Sequence, residues 1–223
     1  PLVAFYSFKG GMGRTTALSI FALSRTLAGE KVVVVDCDLD APGLGSILVS
    51  DSPPPFGVVD YLIEAPVLGE RPNDLRDYSY LVDLGKLRTA GSLRVFPAGK
   101  LDGNYLGKMA RLDFETSDHP VFESRHPLEE LLIQILDDLN PDWVLVDSRT
   151  GFSETAGMLL SGICDLHVLF GVQSDQSWDG LAYAIRKLGA ERVKHDIPQA
   201  DALLIHSMVP DFRIEEKEKL LES

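Results

Sequence analysis

A chain of 223 residues with 45% hydrophobic and 25% charged side chains can bury a substantial core, and nothing in it forces a second unit. Its formal net charge of −13 repels phosphate backbones, which argues against direct nucleic-acid binding unless basic residues are concentrated in one patch. Two cysteines are too few for a disulfide framework and ordinary for a reducing, cytoplasmic compartment, and no apolar run approaches membrane-spanning length.

The first element is Leu2 to Ser7, an apolar run suited to a buried strand. It leads into Phe8-Lys9-Gly10-Gly11-Met12-Gly13-Arg14-Thr15-Thr16, and from Thr15 to Leu27 apolar residues recur at near-helical spacing. Strand, glycine-rich turn and helix together read as a phosphate-binding loop. Gly10, Gly11 and Gly13 let successive N–H groups face one anion, and the positive end of the helix adds its dipole. Thr15 stands where the hydroxyl ligand of a phosphate-bound Mg²⁺ is expected. Arg14 stands where the ordinary motif has lysine.

Lys31 to Val35 is a β-branched run that predicts a second buried strand, ending in Asp36-Cys37-Asp38-Leu39-Asp40-Ala41-Pro42-Gly43. Carboxylates at the carboxyl end of such a strand face the crevice where ligands bind. One can hold Mg²⁺ or its waters and another can orient an attacking water, with Asp36 and Asp38 better placed than Asp40. Cys37 lies between two carboxylates, which raise its pKa and make it a poor nucleophile. Glu70 to Gly91, charged and holding Tyr78, Tyr80 and Leu81, reads as a surface loop. So does Asp113 to Pro127, where His119 and His126 lack the companions a metal site needs.

Asp142 to Gly151 is an apolar strand ending in Asp147, the form of a segment whose carboxylate supports a Mg²⁺ shell. Gly151 allows the following loop to change direction when a γ-phosphate arrives or leaves. Arg186, Lys187, Arg192 and Lys194 form a loose basic group that reads as the solvated face of a helix. Arg213 to Ser223 mixes acidic and basic residues and is no membrane anchor. The alternation of helical and strand-like segments predicts one α/β domain over residues 1–223, a mostly parallel twisted sheet flanked by helices on both faces. The missing initiator methionine and the charged last residues suggest a segment of a longer multidomain protein.

These pieces resemble the MinD/ParA group of deviant Walker A ATPases, a branch of the P-loop nucleotide-binding proteins. The resemblance rests on Lys9 to Thr16 against KGGxGKTT, on Asp36-Cys37-Asp38, and on Asp147 to Gly151 against DSPAG. Gly57 to Leu62 and Leu93 to Gly99 are similar to the GLxDYL and LxVLPAG segments of the same group and its tyrosine-kinase relatives. Val172-Gln173 and the run from Ala202 through His206 to Met208, Val209 and Pro210 look like segments that approach the nucleotide base.

The resemblance implies ATP and Mg²⁺ as cofactors and residue roles to match. Gly10, Gly11, Met12, Gly13 and Arg14 would line the phosphates, and Thr16 the α-phosphate region. Thr15, Asp36, Asp38 and Asp147 would serve the metal, with Asp38 also positioning water. Lys9 matches the signature lysine that reaches the partner subunit's phosphates in an ATP-bound homodimer, stabilising charge as an arginine finger does. His206, Val209 and Pro210 would lie by the base. Arg14 keeps the positive charge but replaces a compact ammonium with a planar fork, which leaves the rate of hydrolysis open. Arg149 replaces a proline and either pairs with an acid or senses phosphate.

The resulting expectation is a slow ATPase that dimerises with nucleotide and controls a protein partner or fused domains. The alternatives are a non-hydrolysing nucleotide-binding scaffold and a tyrosine-kinase relative, the latter disfavoured because no tyrosine cluster stands in the last residues.

Overall fold

The β-branched and apolar runs pair into one sheet in a computed structural model of the chain, which describes residues 1–48, 54–85, 89–112, 125–195 and 201–208. In chain order the elements are β1 (Leu2–Ser7), α1 (Arg14–Leu27), β2 (Lys31–Cys37), α2 (Leu44–Ile47), α3 (Val58–Leu68), β3 (Tyr80–Leu81) and β4 (Ser92–Phe96). They continue with α4 (Tyr105–Met109), α5 (Pro127–Leu139), β5 (Trp143–Ser148), α6 (Glu154–Met158), β6 (Leu166–Gly171), α7 (Asp175–His195) and β7 (Asp201–His206). The sheet has seven strands in the order β3-β4-β2-β5-β1-β6-β7. All neighbours are parallel except β3 and β4.

Parallel strands need crossover connections, and the crossovers cover both faces with helices. Alternation along β2 shows how. Val33, Val35 and Cys37 join the core beneath α3 and α5 with Val58, Leu131 and Ile135, whereas Val32 and Val34 face α1 through Leu18 and Ala22. The expected α/β architecture is thus present. Among the described residues no helix is long and apolar enough to cross a membrane.

Two motif segments, Gly57 to Leu62 and Leu93 to Gly99, are partners in space. The Val58 and Val59 N–H groups donate to the carbonyls of Pro97 and Ala98 at 2.8 Å each, and the Asp60 carboxylate accepts the Gly57 N–H at 3.0 Å. The approach leaves no room for a side chain, since a Cβ on Gly57 would lie 2.4 Å from the Pro97 carbonyl oxygen and 2.6 Å from the Gly99 nitrogen. Gly57→Ala is therefore expected to destabilise the fold by about 1–3 kcal/mol through overpacking. An unchanged denaturation midpoint would contradict this.

The stretch from Glu70 to Gly91 differs from the surface loop expected of it. Leu75–Tyr78 forms a 3₁₀ turn and β3 adds an antiparallel edge to β4, so Tyr78 and Tyr80 are buried at 3% and 8% exposure. The Tyr80 hydroxyl donates to the Leu48 carbonyl and that of Tyr78 to Glu64. Leu81 stays exposed. Of the other expected loop, residues 113–124 (His119 among them) lie outside the described residues. At its end, His126 Nδ1 accepts the Leu128 N–H at 3.0 Å and caps α5.

Candidate functional site

The carboxyl ends of the central strands β1, β2 and β5 bring the glycine loop, Asp36, Asp38 and Asp147 together at one end of the sheet. Gly11 and Gly13 have φ of 75° and 76°, a left-handed conformation that side chains disfavour, and the loop can curl because glycine stands there. α1 begins at Arg14 with no acidic residue in its own first turn, so its first N–H groups direct the positive end of the helix toward the loop. Gly10 to Thr16 line a cavity of about 450 Å³ together with Ser7, Asp38, Ala41 and Thr150.

Arg14 lines the wall of this cavity, and its head group is taken up by the carboxylates beside it. Only 5% exposed, its guanidinium donates from Nε to Asp147, from Nη2 to Asp38 Oδ2 at 2.8 Å and from Nη1 to Ser7 Oγ at 3.2 Å. One fork thus bridges the two carboxylates that follow β2 and end β5. Thr15 Oγ1 donates to the other oxygen of Asp147 at 2.6 Å. A second ion pair joins the same two loops at the surface, between Arg149 and Asp40. Of the two roles open to Arg149 in the sequence, the acidic partner is the one present.

Asp36 stands beside Asp147 in register on the neighbouring strand. Its Oδ1 accepts the Asp38 N–H at 3.2 Å, and its Oδ2 accepts those of Gly43 and Leu44 at 3.2 and 3.1 Å, which orders the loop after β2. Burial, reinforced by the charge of Asp147, pushes the Asp36 carboxyl up to about 7 against the pull of these N–H groups. Asp147 is raised by burial, and Arg14 and Thr15 pull it back. The Cys37 thiol is raised far above its usual value by burial and then by Asp36 and Asp147, in keeping with a poor nucleophile.

A group whose folded pKa is raised contributes stability that is full below its unfolded value of about 4 and is lost as pH rises through about 7. The melting temperature of the nucleotide-free protein is therefore expected to fall between about pH 4 and about pH 7, with Asp36→Asn flattening the slope. A melting temperature that rises across this window would contradict the assignment.

Lys9 Nζ donates to Ser174 Oγ at 3.2 Å, just before α7, so the lysine rests on its own subunit. Phe8 beside it packs on Phe152 with centroids 5.0 Å apart, and Phe152 on Tyr183 at 4.6 Å. Gly180 makes room for this, because a Cβ there would lie 2.2 Å from the Phe8 ring. Phe152, 61% exposed, leaves an apolar surface next to Lys9. The Tyr6 hydroxyl donates to the Gly151 carbonyl at 3.1 Å and ties β1 to the loop after β5. His206 ends β7 with its ring edge-on to Trp178 at 5.5 Å, and its buried Nε2 has no hydrogen-bond partner among the described residues. Val209 and Pro210 lie outside the described residues. Ser7 and Ser174, the partners of Arg14 and Lys9, were not picked out from the sequence. Ser7 was detectable, as the polar residue ending a buried strand directly before the glycine loop.

The residues expected to hold Mg²⁺ are adjacent but engaged. Thr15 donates its proton to Asp147, which leaves its oxygen lone pairs available. Both oxygens of Asp36 accept backbone N–H groups, and Asp38 and Asp147 are bridged by Arg14. As arranged, the set does not offer the oxygen cage a divalent cation takes, and Arg14 must withdraw before it can.

No model of a known protein family matches the sequence, and no characterised protein matches it either. Solved structures match it clearly. A plasmid partition protein from Borrelia burgdorferi aligns over 100% of this chain and 85% of its own, with a TM-score of 0.63 and 17% identity. The septum site-determining protein MinD from Pyrococcus horikoshii, in complex with Mg-ADP, aligns over 92% of this chain and 69% of its own at 0.62 and 20%. The kinase domain of VpsO aligns over 93% and 85% at 0.60 and 20%. At these identities the likeness establishes a shared fold.

Proposed function

We propose that this chain, which has the fold of the MinD- and ParA-type P-loop ATPases, is an ATP-binding switch that pairs with a second copy when nucleotide is bound and turns ATP over slowly. The observation that carries the reading is the glycine loop. Its left-handed Gly11 and Gly13 feed a helix with no acid in its first turn and open onto a cavity faced by Asp38. That arrangement suits a chain of phosphates and offers little to an apolar ligand.

In this reading the N–H groups of Gly10 to Thr16 hold the phosphates, with Met12 at the loop's centre and Thr15 and Thr16 adding hydroxyls. Lys9 leaves Ser174 and crosses to the partner's phosphates, where its ammonium stabilises charge on the γ-phosphoryl group. Asp38, once parted from Arg14, orients a water whose oxygen bonds to the γ-phosphorus as the bond to the β-phosphate oxygen breaks. ADP and phosphate leave, and the loops after β2 and β5 return to their ion pairs. Mg²⁺ neutralises phosphate charge when bound, and Thr15, Asp36, Asp38 and Asp147 are the residues that would have to hold it. Exposed Phe152 gives the second copy an apolar surface beside Lys9. His206, with Val209 and Pro210, is assigned to the base, and a protein partner or fused domain receives the signal.

Phosphate release from ATP, compared with Lys9→Ala, tests the reading. Release above the variant supports a hydrolase, tight ATP binding without turnover makes the chain an assembly scaffold, and phosphotyrosine on incubation favours a kinase. Failure to bind nucleotide overturns the proposal.

A further inference from the structure

We propose that the Arg14 guanidinium competes with a divalent cation for Asp38 and Asp147, so that nucleotide binding by this chain depends only weakly on magnesium. The inference rests on the nucleotide reading above and adds to it the charge balance of the site.

Asp38 and Asp147 come from different strand ends and would repel each other in a buried place without a cation between them. The chain supplies one. Arg14 reaches both with separate nitrogens and anchors its third on Ser7 Oγ, so all three guanidinium nitrogens are engaged. The guanidinium brings a planar, delocalised positive charge whose fork matches two carboxylates at once. A lysine ammonium in its place would be a compact, mobile point charge, able to swing to the phosphates and leave the carboxylates for a metal. The bridge is also shielded, with Arg14 and both acids buried, so bulk ions screen it little. The backbone N–H groups that hold phosphates do not take part in the bridge. Nucleotide can therefore enter with the bridge intact, whereas a divalent cation that uses the carboxylates must first break it.

The test is equilibrium binding of a fluorescent ADP analogue to the wild-type protein and to Arg14→Lys, in millimolar magnesium and in excess EDTA. The expected result is a change of about threefold or less for the wild type and of about tenfold or more for the variant. Equal, strong magnesium dependence in both proteins overturns the inference and leaves the nucleotide reading standing. No ADP binding under either condition overturns both. Should Arg14→Lys fail to fold by circular dichroism, manganese resonance on the wild type with ADP decides the matter. Manganese held no more tightly than by ADP alone supports the competition, and tighter retention refutes it.

Discussion

Arg14→Ala is expected to lower the melting temperature of the nucleotide-free protein by on the order of 10 °C. Removing one member of a buried ion pair costs about 3–5 kcal/mol, because the remaining charge keeps its desolvation penalty and loses its compensation. In a domain of this size each kcal/mol moves the melting temperature by about 2–4 °C. Here one deletion strands two carboxylates, Asp38 and Asp147, of which Asp147 is wholly buried. The loss has a ceiling, since Asp147 is already raised by burial and can take up a proton once Arg14 is gone. The deficit should therefore be smaller in mild acid than in mild base, and pairing Arg14→Ala with Asp147→Asn should recover part of it. Thermal melts of the two variants at two pH values check this. A shift of less than about 2 °C would mean that the bridge contributes nothing to stability.

Lys9→Ala is expected to leave nucleotide affinity within about threefold and to reduce phosphate release by about 100-fold, the usual effect of removing one donor aimed at developing transition-state charge. The split follows from where Lys9 rests. In the single chain it is bonded to Ser174, and in the proposed reading the phosphates are held by backbone, so the lysine would contribute to turnover only after crossing to a partner. Ser174→Ala removes the resting contact, together with the bond Ser174 Oγ accepts from the Ser177 N–H at 3.3 Å, and turnover should be equal to or above that of the wild type. A Lys9→Ala protein that releases phosphate at the wild-type rate would remove the lysine from the mechanism.

Much of this site was legible because strand ends and glycines carry strong local signals. The run Lys31 to Val35 predicts a buried strand, so its first carboxylate, Asp36, falls at the crevice whatever the rest of the chain does. Asp147 follows by the same reasoning, and register then sets the two side by side. What Arg14 touches was not legible. The sequence places it among phosphate-binding residues, but its length allows it to turn toward Asp38, Asp147 and Ser7, and only the packing of three strand ends brings those groups within reach. The same holds for Lys9 and Ser174, separated by 165 positions. β3 was missed for a different reason. Two residues carry no periodicity, and the tyrosines that bury it lie among charges that read as solvated loop. Asp36 stands near the end of the strand the sequence predicts, yet its bonds to Gly43 and Leu44 depend on a turn that composition alone does not specify.

The central claim, that nucleotide at the glycine loop brings two copies together through Lys9, is tested most directly by light scattering with a non-hydrolysable ATP analogue. For the 24.5 kDa chain the account predicts a doubled mass with the analogue bound, and no change for Lys9→Ala under the same conditions. A wild-type protein that binds the analogue and keeps the mass of a single chain would contradict it.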